Sequence, residues 1–167
     1  MNHQIFREYD IRGLIDKELN RDVANKIGKA FGTYVTDEKT GPIIVGMDIR
    51  RNSKEMSEGL IEGIRSTGWD VIDVGLVPTP LLYFSLFHLD AKGGIMITGS
   101  HNPPEFNGFK VCVGKWAISG NEIQDLRKII EKGEYSKGEG KLSHYNILPD
   151  YIDMVVSKIS IKKKLKV

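Results

Sequence analysis

Short apolar runs rich in β-branched residues alternate along this chain with segments whose apolar residues recur at helical spacing. The first helical segment presents Val23, Ile27, Ala30, Phe31, Tyr34 and Val35 on one face, and Asn20 is placed to cap its N-terminus. Pro42 to Met47 reads as a strand buried on both faces. Ser53 then opens a second helix with Met56, Leu60, Ile61 and Ile64 inward, closed by Gly68. Trp69 to Val74 alternates as a strand, Pro78-Thr79-Pro80 opens a short helix ending near His88, and Gly94 to Ile97 is another buried strand. A strand at Phe109 to Val113 follows. The next helix is announced by Ser119-Gly120-Asn121-Glu122, a Ser-x-x-Glu capping box, with Ile123, Leu126, Ile129 and Ile130 as its inner face. Residues 133 to 146 read as a polar loop, and Pro149 starts a last helix containing Tyr151, Ile152, Met154, Val155, Val156 and Ile159.

Strands alternating with helices predict an α/β fold, a three-layer α/β/α sandwich with a mostly parallel (mixed) sheet in a single domain over 1–160. Lys162-Lys163-Lys164 and the apolar alternation after it read as a linker over 161–167 entering a truncated second domain. A length of 167 residues suits one domain, and no internal repeat is visible.

Charge narrows the partners. The 24 basic and 22 acidic side chains nearly cancel to +2 and are interleaved, so no field of one sign draws nucleic acid or a membrane surface. The N-terminus lacks a basic segment followed by an apolar stretch, and no window approaches the roughly 18 apolar residues that span a bilayer. One cysteine, Cys112, excludes an internal disulfide framework and reads as a buried thiol in a reducing compartment; the expectation is a soluble, cytoplasmic protein.

Ligands of open α/β sheets bind beyond the carboxyl ends of the strands, and the richest such segment is Thr98-Gly99-Ser100-His101-Asn102-Pro103-Pro104. Gly99 lets the backbone approach a ligand, the side chains of Thr98, Ser100, His101 and Asn102 can bond phosphate oxygens, and the two prolines stiffen the exit. Such a loop suits phosphoryl transfer, whose catalysis is mainly positioning plus charge stabilisation. From the residues alone, a plain turn with Ser100 and Asn102 bonding local backbone fits equally well. A Ser-His hydrolase fits less well, because Gly-x-Ser-x-Gly is absent and neighbouring side chains on an extended segment point apart, which makes His101 a poor base for Ser100. No Gly-x-Gly-x-x-Gly opens a helix after the first strand, which excludes a Rossmann reading.

The run Gly94-Ile95-Met96-Ile97-Thr98-Gly99-Ser100-His101-Asn102-Pro103 resembles the active-site signature of the α-D-phosphohexomutases. The resemblance continues through Glu105 to Lys110, through Phe6-Arg7-Glu8-Tyr9-Asp10-Ile11-Arg12-Gly13 and through Val74-Gly75-Leu76-Val77-Pro78-Thr79-Pro80, and so covers essentially the whole chain. It is similar to the N-terminal domain (domain 1) of the phosphomannomutase/phosphoglucomutase branch, in which a glycine stands at the position of Gly99. The resemblance implies that Ser100 becomes a phosphoserine, passing phosphate between the 1 and 6 positions of glucose and mannose phosphates through a bisphosphorylated sugar. It implies catalytic roles for Arg12 and Lys110 as cations, for His101 beside the phosphoserine, and substrate contacts for Tyr9 and Asn102. It also implies Mg²⁺, held by an oxygen on Ser100 and by aspartates of a second domain that this sequence lacks, and glucose 1,6-bisphosphate as activator. The partners implied are hexose phosphates and the remaining domains of the same enzyme, and the isolated domain is expected to show no turnover. A stand-alone phosphosugar-binding module without chemistry is the other reading. Asp48 and Arg50 resemble the family's Gly-Arg-Asp-x-Arg loop, with Met47 in place of its first arginine, and read as structural.

Overall fold

The computed structural model describes residues 1–35, 40–160 and 162. The linker expected over 161–167 lies outside them, apart from Lys162. Among the described residues seven strands form one sheet: β1 (Ile11–Leu14), β2 (Ile43–Met47), β3 (Val71–Leu76), β4 (Gly93–Ile97), β5 (Phe106–Val113), β6 (Trp116–Ala117) and β7 (Leu142–His144). Their order is β1-β5-β4-β2-β3-β7, with β6 on β5. The pairs β2–β3, β2–β4 and β3–β7 are parallel, while β5 is antiparallel to β1, β4 and β6. Only β5 therefore runs against the rest, and the sheet is mixed but mostly parallel, as the alternation of elements predicts.

Both faces are covered. Helices α1 (Arg21–Tyr34), α2 (Ser53–Arg65) and α4 (Asn121–Lys132) bury Ile27, Phe31, Leu60, Ile64, Ile123 and Leu126 against Ile43, Val45, Ile95 and Phe109. Helices α3 (Thr79–His88) and α5 (Leu148–Lys158) cover the other face, where Leu82 and Leu86 meet Ile44, Met96 and Cys112. Successive residues of β2 thus enter opposite cores, as period-2 geometry requires of a strand buried on both sides. Helices α1 and α2 pack so closely that a Cβ on Gly63 would lie 2.2 Å from the Asn25 carbonyl oxygen. No helix among the described residues is long and apolar enough to cross a membrane.

Several local expectations need correction. Asn20 caps α1 as predicted, accepting from Val23 N at 3.0 Å. Ser53 does not cap α2: it is the first helical residue after Asn52, and its hydroxyl donates to Asp48 at 2.9 Å. Only half of the capping box at α4 forms. The Glu122 carboxylate accepts from Ser119 N at 3.3 Å, but Gly120 with φ of 54° occupies the cap position, and the Glu122 amide goes to the Ser119 carbonyl instead of its hydroxyl. Strand β3 starts at Val71, because Trp69 turns wholly into the core and donates its indole N–H to the Gly32 carbonyl at 2.9 Å. Strands β1, β6 and β7 were not expected; β7 lies inside the segment read as a polar loop.

Candidate active site

The segment after β4 leaves the sheet at its carboxyl end and folds back on itself. The Ser100 amide donates to the Thr98 hydroxyl at 2.8 Å, and the Asn102 amide and side-chain NH₂ both donate to the Gly99 carbonyl, at 2.9 and 2.7 Å. Ser100 adopts φ of 52°, a left-handed conformation uncommon for a residue with a side chain, and its side chain is exposed. The positive φ breaks the extended run, so Ser100 and His101 do not point apart. Ser100 Oγ lies 3.3 Å from His101 Nδ1. The expectation that these two side chains diverge is overturned, and His101 is within reach of the hydroxyl proton.

Arg12 reaches this loop from β1. Its register partner on β5 is Gly108, whose carbonyl also receives the Thr98 amide at 3.0 Å, so Arg12 and Thr98 flank one residue of β5. One guanidinium NH₂ group donates to Asn102 Oδ1 at 2.9 Å, the other to both Asp10 oxygens at 3.2 Å. The Nε–H is buried without a hydrogen-bond partner among the described residues. Lys110 stands two residues along β5 from Gly108 and therefore on the same face as Arg12; it is half-buried, and its side chain makes no hydrogen bond or ion pair to the described residues. Tyr9 is 73% exposed. Tyr9, Arg12 and Asn102 line one open cleft of ≈ 340 Å³ together with Arg7, Glu8, Asp10 and Phe106. Ser100, His101 and Lys110 do not line it; Asn102 connects the cleft to the serine loop. A second cavity, ≈ 360 Å³ and floored by Met47, Ile61 and Leu142, lies between α2 and β7 and holds none of the predicted site residues.

Beneath the loop lies a network that the sequence reading assigned only a structural part. Arg50 donates to the carbonyls of Ser100, Asn102, Pro103 and Phe106 at 3.1, 2.7, 2.7 and 2.8 Å. Asp48 faces it with Oδ2 3.5 Å from Arg50 Nε and accepts from the Gly99 amide at 3.2 Å. The buried Asn107 donates to Asn52 Oδ1 and Ser53 Oγ at 2.9 and 3.0 Å, extending this support under β5. Asn52 and Asn107 were missed; the amide of Asn107 between Phe106 and Phe109 is the signal that the sequence offers, and nothing around Asn52 marks it. Met47 packs against the core instead of forming an ion pair. Away from the site, burial pushes the Cys112 thiol up to about 11.

Hydroxyl, imidazole, guanidinium and ammonium groups at one carboxyl edge can receive and hold a phosphoryl group. They do not by themselves fit a magnesium ion, which takes several oxygen ligands in near-octahedral order. Among the described residues no three His, Cys, Asp or Glu side chains converge, and Asp48 already accepts from Arg50 N, Ser53 Oγ and Gly99 N.

The family model for phosphoglucomutase/phosphomannomutase, alpha/beta/alpha domain I, matches residues 3–137. The chain belongs to this family. A phosphomannomutase/phosphoglucomutase of Pseudomonas aeruginosa is 40% identical over 163 residues, covering 98% of this chain and 35% of that protein. A phosphomannomutase of Klebsiella pneumoniae is 38% identical over 154 residues, covering 89% of this chain and 96% of that protein. Among solved structures, a phosphoglucomutase/phosphomannomutase family protein of Burkholderia thailandensis superposes with a TM-score of 0.91 at 38% identity, over 98% of this chain and 37% of that one. The chain thus spans about a third of the length of the Pseudomonas relative. Family membership joins the three segments that carried the resemblance: all lie within the matched residues, and the structure brings two of them, around Arg12 and Ser100, into contact through Asn102.

Proposed function

We propose that Ser100 is the phosphoryl-carrying residue of an enzyme interconverting hexose 1-phosphates and hexose 6-phosphates, an isomerase acting on glucose and mannose phosphates in the cytoplasm. The observation that carries this reading is the geometry at Ser100: an exposed hydroxyl on a left-handed residue at the carboxyl end of β4, 3.3 Å from an imidazole nitrogen. In the loading step Ser100 Oγ attacks one phosphorus of glucose 1,6-bisphosphate. The bond from that phosphorus to the sugar oxygen breaks, and the serine proton passes by way of His101 to the departing oxygen. The reverse step at the other end of a sugar monophosphate returns the phosphate. A phosphoserine brings about 1.5 to 2 negative charges at neutral pH, which Arg12 can bind in exchange for its bonds to Asn102 and Asp10 and which Lys110 can attract as a point charge. Tyr9 and Asn102 stand at the cleft where the sugar enters.

Mg²⁺ belongs to this proposal only as far as Ser100 can offer it one phosphate oxygen, its other ligands lying outside this chain. The chain alone is accordingly expected to take up and pass on phosphate in slow single events, without interconverting glucose 1- and 6-phosphates at enzyme-like rates. The test is a chase: chain loaded from ³²P-labelled glucose 1,6-bisphosphate is mixed with unlabelled glucose 6-phosphate. Label moving from protein to sugar supports a carrier. Protein that never acquires label, or label that never leaves Ser100, contradicts it.

A further inference from the structure

We infer that Arg50 is a positioning residue that sets the conformation of Ser100 from beneath, and that phosphoryl transfer depends on it although it never touches substrate. The inference rests on Ser100 being the phosphoryl carrier, but its structural half can be read without any chemistry.

Four carbonyls, those of Ser100, Asn102, Pro103 and Phe106, converge on the two terminal nitrogens of Arg50 within 3.1 Å. The bonds to Asn102 and Phe106 are part-buried, where an unpaired backbone acceptor is strongly disfavoured, and the same guanidinium also takes the carbonyls of the exposed Ser100 and Pro103. Only a guanidinium offers this many donors in one plane; an ammonium carries three donors at a single point. The ring of contacts is closed by Asp48, which holds the Gly99 amide at 3.2 Å and faces Arg50 Nε at 3.5 Å. The guanidinium lies directly under the backbone just before the serine. A Cβ built on Gly99 would stand 2.2 Å from Arg50 Cζ. Arg50 is mostly enclosed, its side chain 15% exposed, and every terminal N–H direction used by these bonds points at protein backbone. Its work is therefore to hold the left-handed φ of 52° at Ser100, which a non-glycine residue keeps only when its surroundings over-determine it.

This predicts a separation of effects that an arginine contributing only to overall stability would not produce. In Arg50→Met and Arg50→Lys, amide hydrogen exchange at Gly99 and Asn102 becomes at least about tenfold faster, while exchange at Val45 in β2 keeps its native protection. The rate of phosphate uptake by Ser100 from glucose 1,6-bisphosphate falls by about tenfold or more, with the half-saturating concentration unchanged, because Arg50 contributes to orientation and not to sugar binding. Lysine keeps the charge but not the fork, so Arg50→Lys follows Arg50→Met. If methionine unfolds the chain, as loss of protection at Val45 would reveal, Arg50→Lys carries the test alone. Native-like exchange at Gly99 and Asn102 in Arg50→Lys, or full uptake by that variant, overturns the inference. Unmodified chain that takes up no phosphate, with exchange responding as described, instead overturns the carrier reading and leaves the positioning role of Arg50 standing.

Discussion

Replacing Asp48 by asparagine keeps the shape of the side chain, removes its charge and turns one acceptor into a donor. The Asp48 carboxylate accepts from Arg50 N at 3.0 Å and Ser53 Oγ at 2.9 Å through one oxygen, and from Gly99 N at 3.2 Å through the other, which also faces Arg50 Nε at 3.5 Å. An asparagine that keeps its carbonyl on Arg50 N and Ser53 directs its NH₂ at the Gly99 and Arg50 Nε donors. Flipped, it satisfies those two, lets the Ser53 hydroxyl accept, and opposes the Arg50 amide. At least one donor is orphaned either way, and the guanidinium loses its counter-charge. Hydrogen bonds to charged groups contribute about 1.5–3 kcal/mol each, and the site is only 23% exposed, so the expected loss is about 2–3 kcal/mol. For a chain of this size that lowers the unfolding midpoint by about 4–12 °C. Calorimetry at neutral pH, with amide exchange at Gly99 followed in parallel, reads both effects. A midpoint lowered by less than about 2 °C with unchanged exchange at Gly99 would refute the placement of Asp48 as the tether of the serine loop.

Three further outcomes are expected. Gly63→Ala should destabilise by about 1–3 kcal/mol in urea titrations, although alanine in an exposed helix gains about 1 kcal/mol over glycine, because its Cβ would meet the Asn25 carbonyl at 2.2 Å and force two helix backbones apart; a stabilised variant contradicts the packing. Cys112, wholly buried with its thiol at about 11 instead of 9.0, should resist a disulfide exchange reagent until the chain unfolds; between those values the unfolded chain loses a proton that the folded chain retains, so stability should fall as pH rises, and a Cys112→Ala variant should lose that slope. The Glu18 carboxyl is held below its ordinary value, first by the Leu14 amide and then by the Asn2 side chain, so it contributes stability that is present above the ordinary carboxylate range and lost as pH falls through the lowered value; acid titration of Glu18→Gln should show a shallower decline than the parent chain.

The elements that were legible in the sequence are those whose side chains decide them. Strands β2 and β4 announce themselves by continuous apolar runs, and α1 by its apolar stripe and Asn20. Strand β7 does not, because Leu142, Ser143 and His144 are all exposed and the strand is held by backbone pairing to β3, which leaves no period in the side chains. Strand β1 is only four residues long, with Arg12 and Gly13 between Ile11 and Leu14, too short a run to show a period. The serine loop was recognisable by composition, and its relation to the family by ten consecutive positions. Its internal geometry was not. Ser100 is left-handed without being glycine, which only the surrounding bonds explain, and that single dihedral angle reverses the expected relation of Ser100 to His101. Arg50 was assigned a structural part from its neighbours, but its partners are backbone carbonyls more than 50 positions away in part, which no pattern of side chains encodes.

The central claim is that the Ser100 hydroxyl accepts a phosphoryl group. Intact mass of the chain before and after incubation with glucose 1,6-bisphosphate and Mg²⁺, with the added mass located by peptide fragmentation, tests it most directly. The account predicts one phosphate on Ser100, absent from Ser100→Ala. Phosphate on another residue, or an equal gain of mass in Ser100→Ala, would contradict it.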